Sequence, residues 1–127
     1  MIAFEKNTGN HAVKAARDHV AAIAGKWPID LDDVLVVTSE LVTNALRHAS
    51  TDVIQVGAWA IEKDGRGLYS VEVWDRDDQS RPELHEPPPG PDAEAGRGLW
   101  LVQGLSGNWG VLDGVSGGKL VYAEWTR

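Results

Sequence analysis

Glu40 and Asn44 are the two residues whose types and spacing most invite chemistry. They lie four apart in a stretch with helical periodicity, so both project the same way, and His48 follows one turn later. At about 100° per residue, Glu40 is expected roughly opposite the centre of that helix's apolar stripe. Val36 and Val37 flank the polar row one turn earlier and Leu41 borders Asn44. Such partly apolar surroundings suit a pocket. A carboxylate stacked on a carboxamide can hold a hard cation through oxygen or position a water. A solvated helix face with i,i+4 pairs would show the same spacing.

Two further features stand at element ends. Asp75 ends the strand Ser70-Val71-Glu72-Val73-Trp74-Asp75, where the chain leaves the sheet. A carboxylate there can accept hydrogen bonds from an exocyclic amine, although Asp also ends strands as a simple turn residue. Gly96-Arg97-Gly98 opens a short apolar helix, Leu99 to about Leu105. Glycines at a helix start let backbone N–H groups approach an anion, and the helix dipole adds attraction; a flexible helix entry is the plainer alternative.

The elements that must position these residues follow from periodicity. Ile2 to Glu5 reads as a short edge strand and Asn10 to Gly25 as a helix. A second helix starts at the natural N-cap Asp30, with Asp32 and Asp33 at its positive dipole end, and runs to about Ala49. Its core stripe is Leu31, Val34, Leu35, Thr38, Val42, Ala45, Leu46 and Ala49. Asp52 to Glu62 and Leu68 to Trp74 alternate at period two around the turn Lys63-Asp64-Gly65-Arg66-Gly67. A proline-rich irregular segment fills Asp75 to Ala95, and a loop that long is often functional. Trp109 to Leu112 and Lys119 to Trp125 form a closing hairpin. Helices and antiparallel strands are segregated, which predicts an α+β, two-layer sandwich with a mixed, mostly antiparallel sheet and helices on one face. Of the six tryptophans, Trp59, Trp74 and Trp125 lie on strands and are expected to pack the core.

Composition narrows the function classes. The 127 residues fit one domain, 1–127, with a lid at about 77–95. No cysteine is present, which excludes disulfides and thiolate sites. No signal-peptide pattern or transmembrane-length apolar stretch is evident, so a cytoplasmic protein is expected. A net charge of -7 argues against nucleic acid as the main partner, yet a triphosphate can be held by backbone N–H groups and a metal ion. A Walker-type P-loop, a dinucleotide fingerprint, zinc spacing among His11, His19, His48 and His85, and a nucleophile elbow are all missing.

Order and spacing together carry more than the separate features. Ser39-Glu40-Leu41-Val42-Thr43-Asn44-Ala45-Leu46-Arg47-His48-Ala49 closely resembles the N-box of the gyrase, histidine-kinase and MutL type ATPases. Val71 to Asp75 is similar to the strand and aspartate of that superfamily's first glycine box, and Gly96 to Val102 to its second. Trp109-Gly110-Val111 and Gly117 to Tyr122 resemble its closing hairpin. The small size resembles the anti-sigma-factor serine/threonine kinases, a subgroup common in actinobacteria.

The resemblance implies the Bergerat ATP-binding fold, Mg²⁺ and ATP as cofactors, and phosphoryl transfer to an anti-sigma-factor antagonist. A sigma factor would be the second partner, with a homodimer as a further expectation and neither nucleic acid nor membrane as a direct partner. By position, Asn44 would coordinate Mg²⁺, Glu40 would act as general base, and Asp75 would read the adenine amino group. Gly96, Arg97, Gly98 and Leu99 would line the phosphate site beneath the lid. His48 and Lys119 complete the ATP-binding positions, with Arg47 in support. Asp77 stands where the family usually has glycine, and an acid there is expected to repel phosphate or alter the base pocket. The rival expectations are an ATP-binding module that sequesters a partner without phosphoryl transfer, a slow ATPase, and a scaffold that binds no nucleotide.

Overall fold

The computed structural model describes residues 2–5, 10–48, 53–77, 97–114 and 117–127. In chain order the elements are β1 (Ile2–Glu5), α1 (Asn10–Ala24), α2 (Leu31–His48), β2 (Val53–Lys63), β3 (Arg66–Asp75), α3 (Arg97–Leu105), β4 (Asn108–Asp113) and β5 (Lys119–Thr126). The strands form one sheet in the order β1-β2-β3-β5-β4, and every neighbouring pair is antiparallel. The helices cover one face, which gives the predicted α+β sandwich.

Local chemistry explains the boundaries. The Asp30 carboxylate accepts hydrogen bonds from the backbone N–H of Asp32, at 2.8 Å, and of Asp33, at 3.3 Å, so Asp30 caps α2. The β2–β3 turn is tighter than the five residues expected. Only Asp64 and Gly65 lie between the strands, with φ of 54° and 78°. Two left-handed residues make the type I′ turn whose twist matches a hairpin.

Small residues let α1 approach closely, because Ala12, Ala16, Val20 and Ala24 form a fully buried stripe at helical spacing. On the sheet, Ile54 and Val56 of β2, Tyr69, Val71 and Val73 of β3, and Val121, Ala123 and Trp125 of β5 point into the same core. The indole N–H of Trp125 donates to the Leu105 carbonyl at 2.8 Å and ties α3 to β5.

Two expectations about the core need correction. Trp59 is not a core residue. It lies on the opposite sheet face, 36% exposed, and its indole N–H donates across the strands to Glu72 at 3.1 Å. Trp74 has the same parity as Glu72 and is half-buried on that outer face. The strand alternation that sends Val73 and Trp125 inward sends these two outward.

The second correction concerns α2. Val37 and Leu41 belong to its buried arc with Val34, Thr38, Val42 and Ala45. The arc is thereby rotated toward Glu40, which lies about 130° from its centre rather than opposite. The cause is α2's central position, packed against both α1 and α3. Arg17 of α1 donates to the Ser39 hydroxyl at 2.9 Å on one flank, leaving Glu40 on the other.

Candidate functional site

Helix α2 places Glu40 and Asn44 one turn apart on the flank that faces α3, and both side chains are half-buried. The helix α3 begins at Arg97, two residues earlier than the apolar periodicity indicates, so Gly98 lies in its first turn. Leu99 and Val102 are buried and anchor this helix to the core. Gly98 then packs directly on the acid of α2. A Cβ at position 98 would stand 2.5 Å from Glu40 Oε2, so only a glycine leaves room for the carboxylate where it is. The first N–H groups of α3, which have no partner inside the helix, start beside that carboxylate.

A second cluster forms at the end of the sheet. Asp75 is the last residue of β3 and has the same parity as Val71 and Val73, so its carboxylate turns toward the helix layer. Lys119, the first residue of β5, is its register partner. The Lys119 ammonium donates to Asp75 Oδ1 at 3.0 Å and to the Asp77 carbonyl at 3.0 Å. The Asp77 N–H donates to the same Asp75 oxygen at 2.8 Å. Both ionic side chains are almost fully buried, at 1% exposure for Asp75 and 5% for Lys119. Lysine is almost never fully buried unless paired, and here its charge is met by a carboxylate and a carbonyl.

Two consecutive left-handed glycines deliver Lys119 to this position. Gly117 has φ of 96° and Gly118 of 77°. A Cβ at Gly118 would overlap the Asp75 carbonyl and come within 3.0 Å of the Arg76 Cα. The closing hairpin therefore lies on the backbone that follows β3.

Asp77 departs from the glycine of the family pattern without backbone strain. Among the described non-glycine residues only Asp64 has a positive φ. Asp77 is buried, and its N–H and C=O serve the Asp75–Lys119 cluster.

Chain connectivity limits how far apart the two clusters can lie. Helix α2 ends at His48 and β2 begins at Val53, a span of five residues that reaches about 18 Å at most. Ile54, next in β2, pairs with Asp75. The end of α2, one turn beyond Asn44, is thus tethered to the strand that borders Asp75. Gly96 and residues 78–95 of the expected lid lie outside the described residues. For His48 and Arg97 the helix positions are described but the side chains are not.

Sequence reasoning named Lys119 without a contact and missed its ion pair with Asp75. The lysine alone carried no signal, because its partner is 44 residues away. Two clefts, of about 460 and 540 Å³, flank the β2–β3 hairpin and share Lys63, Arg66, Gly67 and Arg127. Neither is lined by a predicted site residue. Among the described residues no three His, Asp or Glu side chains gather as a ready metal cage, and no helix is long and apolar enough to cross a membrane.

No curated protein matches the chain. A family model described as a histidine kinase-like ATPase domain matches residues 7–125, nearly the whole length. That span contains both glycine-dependent contacts, the helix with Glu40 and Asn44, and the buried Asp75–Lys119 pair. The chain belongs to the histidine kinase-like ATPase domain family.

Proposed function

We propose that this ATP-binding domain is a regulatory serine/threonine protein kinase of the anti-sigma-factor type, acting on an antagonist protein. The observation that carries the reading is the Glu40 carboxylate held against Gly98 at the start of α3, with Asn44 one turn along the same flank. A half-buried acid beside an anion-favouring helix start is well placed to take a proton where phosphate is bound.

In this proposal Asp75 and Lys119 hold the base, while Gly98 and the opening N–H groups of α3 face the phosphates. Glu40 accepts the proton of the incoming hydroxyl. That oxygen bonds to the γ-phosphorus as the bond to the bridging oxygen breaks, and the electron pair leaves with ADP. The donor set fits magnesium, which takes one or two protein oxygens and completes its shell with phosphate and water. Asn44 supplies such an oxygen, and the ion would neutralise charge on the phosphates.

The test combines binding and transfer. Calorimetry of ATP with and without Mg²⁺ should show binding that Asp75→Asn abolishes. Labelled ATP should then pass its γ-phosphate to an antagonist encoded beside a sigma-factor gene, and Glu40→Ala and Asn44→Ala should stop transfer. Binding without transfer to any such partner would replace the kinase with a sequestering module. Label released only as inorganic phosphate would leave a slow ATPase.

A further inference from the structure

Among the described residues, the buried pair at the end of the sheet has a donor and an acceptor to spare. Asp75 Oδ1 already accepts from the Asp77 N–H and from Lys119. The Lys119 ammonium has three N–H groups and, among the described residues, two acceptors: Asp75 Oδ1 and the Asp77 carbonyl. A carboxylate oxygen and an ammonium N–H thus stand side by side at the strand-end position proposed for the base. Neither can swing away easily, since β3 and β5 hold the two residues in register and Gly118 packs on the Asp75 backbone.

Adenine presents a complementary edge, with the 6-amino group as donor next to N1 as acceptor. Guanine presents the reverse, with O6 as acceptor and N1–H as donor. O6 would face the carboxylate and N1–H the ammonium, so guanine meets like polarity at both points. We infer that Lys119 is a specificity-determining residue of the base site, donating to adenine N1 while Asp75 accepts from the 6-amino group. This rests on the reading that the site holds ATP. It assigns the lysine a direct contact with the ligand rather than only neutralisation of Asp75. A site built to hydrogen-bond a ligand atom rejects the analogue that lacks it, because a buried polar group is then left unpaired.

The experiment compares Mg-ATP with Mg-1-deaza-ATP, which has C–H in place of N1, by calorimetry on the full chain. Wild type should bind ATP tighter by roughly tenfold or more, and Lys119→Met should bind the two within about twofold. Equal binding of both by wild type, or a preference that survives in Lys119→Met, overturns the inference and leaves the ATP site standing. Tighter ATP binding by Lys119→Met also overturns it, since the lysine would then be a competitor for Asp75. Wild type that binds neither nucleotide removes the ATP reading itself, and the inference with it. Should Lys119→Met fail to fold, ¹⁵N-lysine labelling of wild type decides. The Lys119 Nζ resonance should move with ATP and stay in place with 1-deaza-ATP, and equal movement with both overturns the proposal.

Discussion

Gly98 lies where a side chain would collide with Glu40: a Cβ there would be 2.5 Å from Glu40 Oε2, with the Glu40 Cβ a further 3.7 Å contact. The nearest obstacle is the far end of a flexible side chain, not backbone. Gly98→Ala should therefore fold, and alanine's helix preference adds up to about 1 kcal/mol of stability. The Glu40 carboxylate must move aside. On its proposed role as general base, phosphoryl transfer should fall on the order of tenfold or more while ATP affinity stays within about threefold. Melting curves, calorimetry and a label-transfer assay on the one variant separate these effects. Unchanged transfer would remove the significance of the contact.

The Asp75–Lys119 pair should appear in stability as a coupled unit. Removing one partner leaves the other as an uncompensated buried charge, so Asp75→Leu and Lys119→Met should each cost about 3–5 kcal/mol. Removing both leaves no orphan charge, and the double variant should be clearly more stable than the sum of the single losses implies. Urea denaturation of the four proteins gives the coupling directly. Additive losses would mean that the 3.0 Å contact contributes nothing specific to the fold.

Local spacing made half of the candidate site legible in the sequence. Glu40 and Asn44 are one helical turn apart whatever the tertiary context, and the Asp30 cap and the Asp64-Gly65 turn are equally local. The partnership of Asp75 with Lys119 was not legible, because it depends on β5 returning beside β3 rather than beside β4 alone. The rotation of the buried arc of α2 was hidden for a similar reason. Periodicity reports how wide an apolar stripe is, but not that neighbouring helices cover both flanks of the polar row. Trp59 and Trp74 show the limit of residue type as a guide to burial: parity along the strand, not size, decided their face.

Gly118→Ala should be the opposite of Gly98→Ala. Here the obstacle is the Asp75 carbonyl and the Arg76 Cα, and the φ of 77° disfavours any side chain. Backbone cannot step aside cheaply, so a loss of more than about 2 kcal/mol is expected on denaturation. The same displacement draws Lys119 from Asp75, and ATP binding should weaken in parallel. A variant with wild-type stability would show that the hairpin start is less closely held against β3 than the contact implies.

Tyr69 links the far end of the sheet to alkaline pH. It is 3% exposed, its ring meets Trp27 at a centroid distance of 5.3 Å, and its hydroxyl donates to Glu62 at 2.9 Å. Burial, then the hydrogen bond to Glu62 and its negative charge, push the phenol above its ordinary 10.0. A raised folded value means that the fold favours the neutral phenol. The stability this confers is complete below pH 10 and is lost as pH rises through the folded value. Urea denaturation on either side of that window should show wild type losing more stability than Tyr69→Phe, which has no phenol to ionise. Tyr122 is the other tyrosine of the chain, so the tyrosinate absorbance that the variant lacks is assigned to Tyr69. Parallel stability curves for the two proteins would mean that Tyr69 ionises as readily in the folded chain as in the unfolded one.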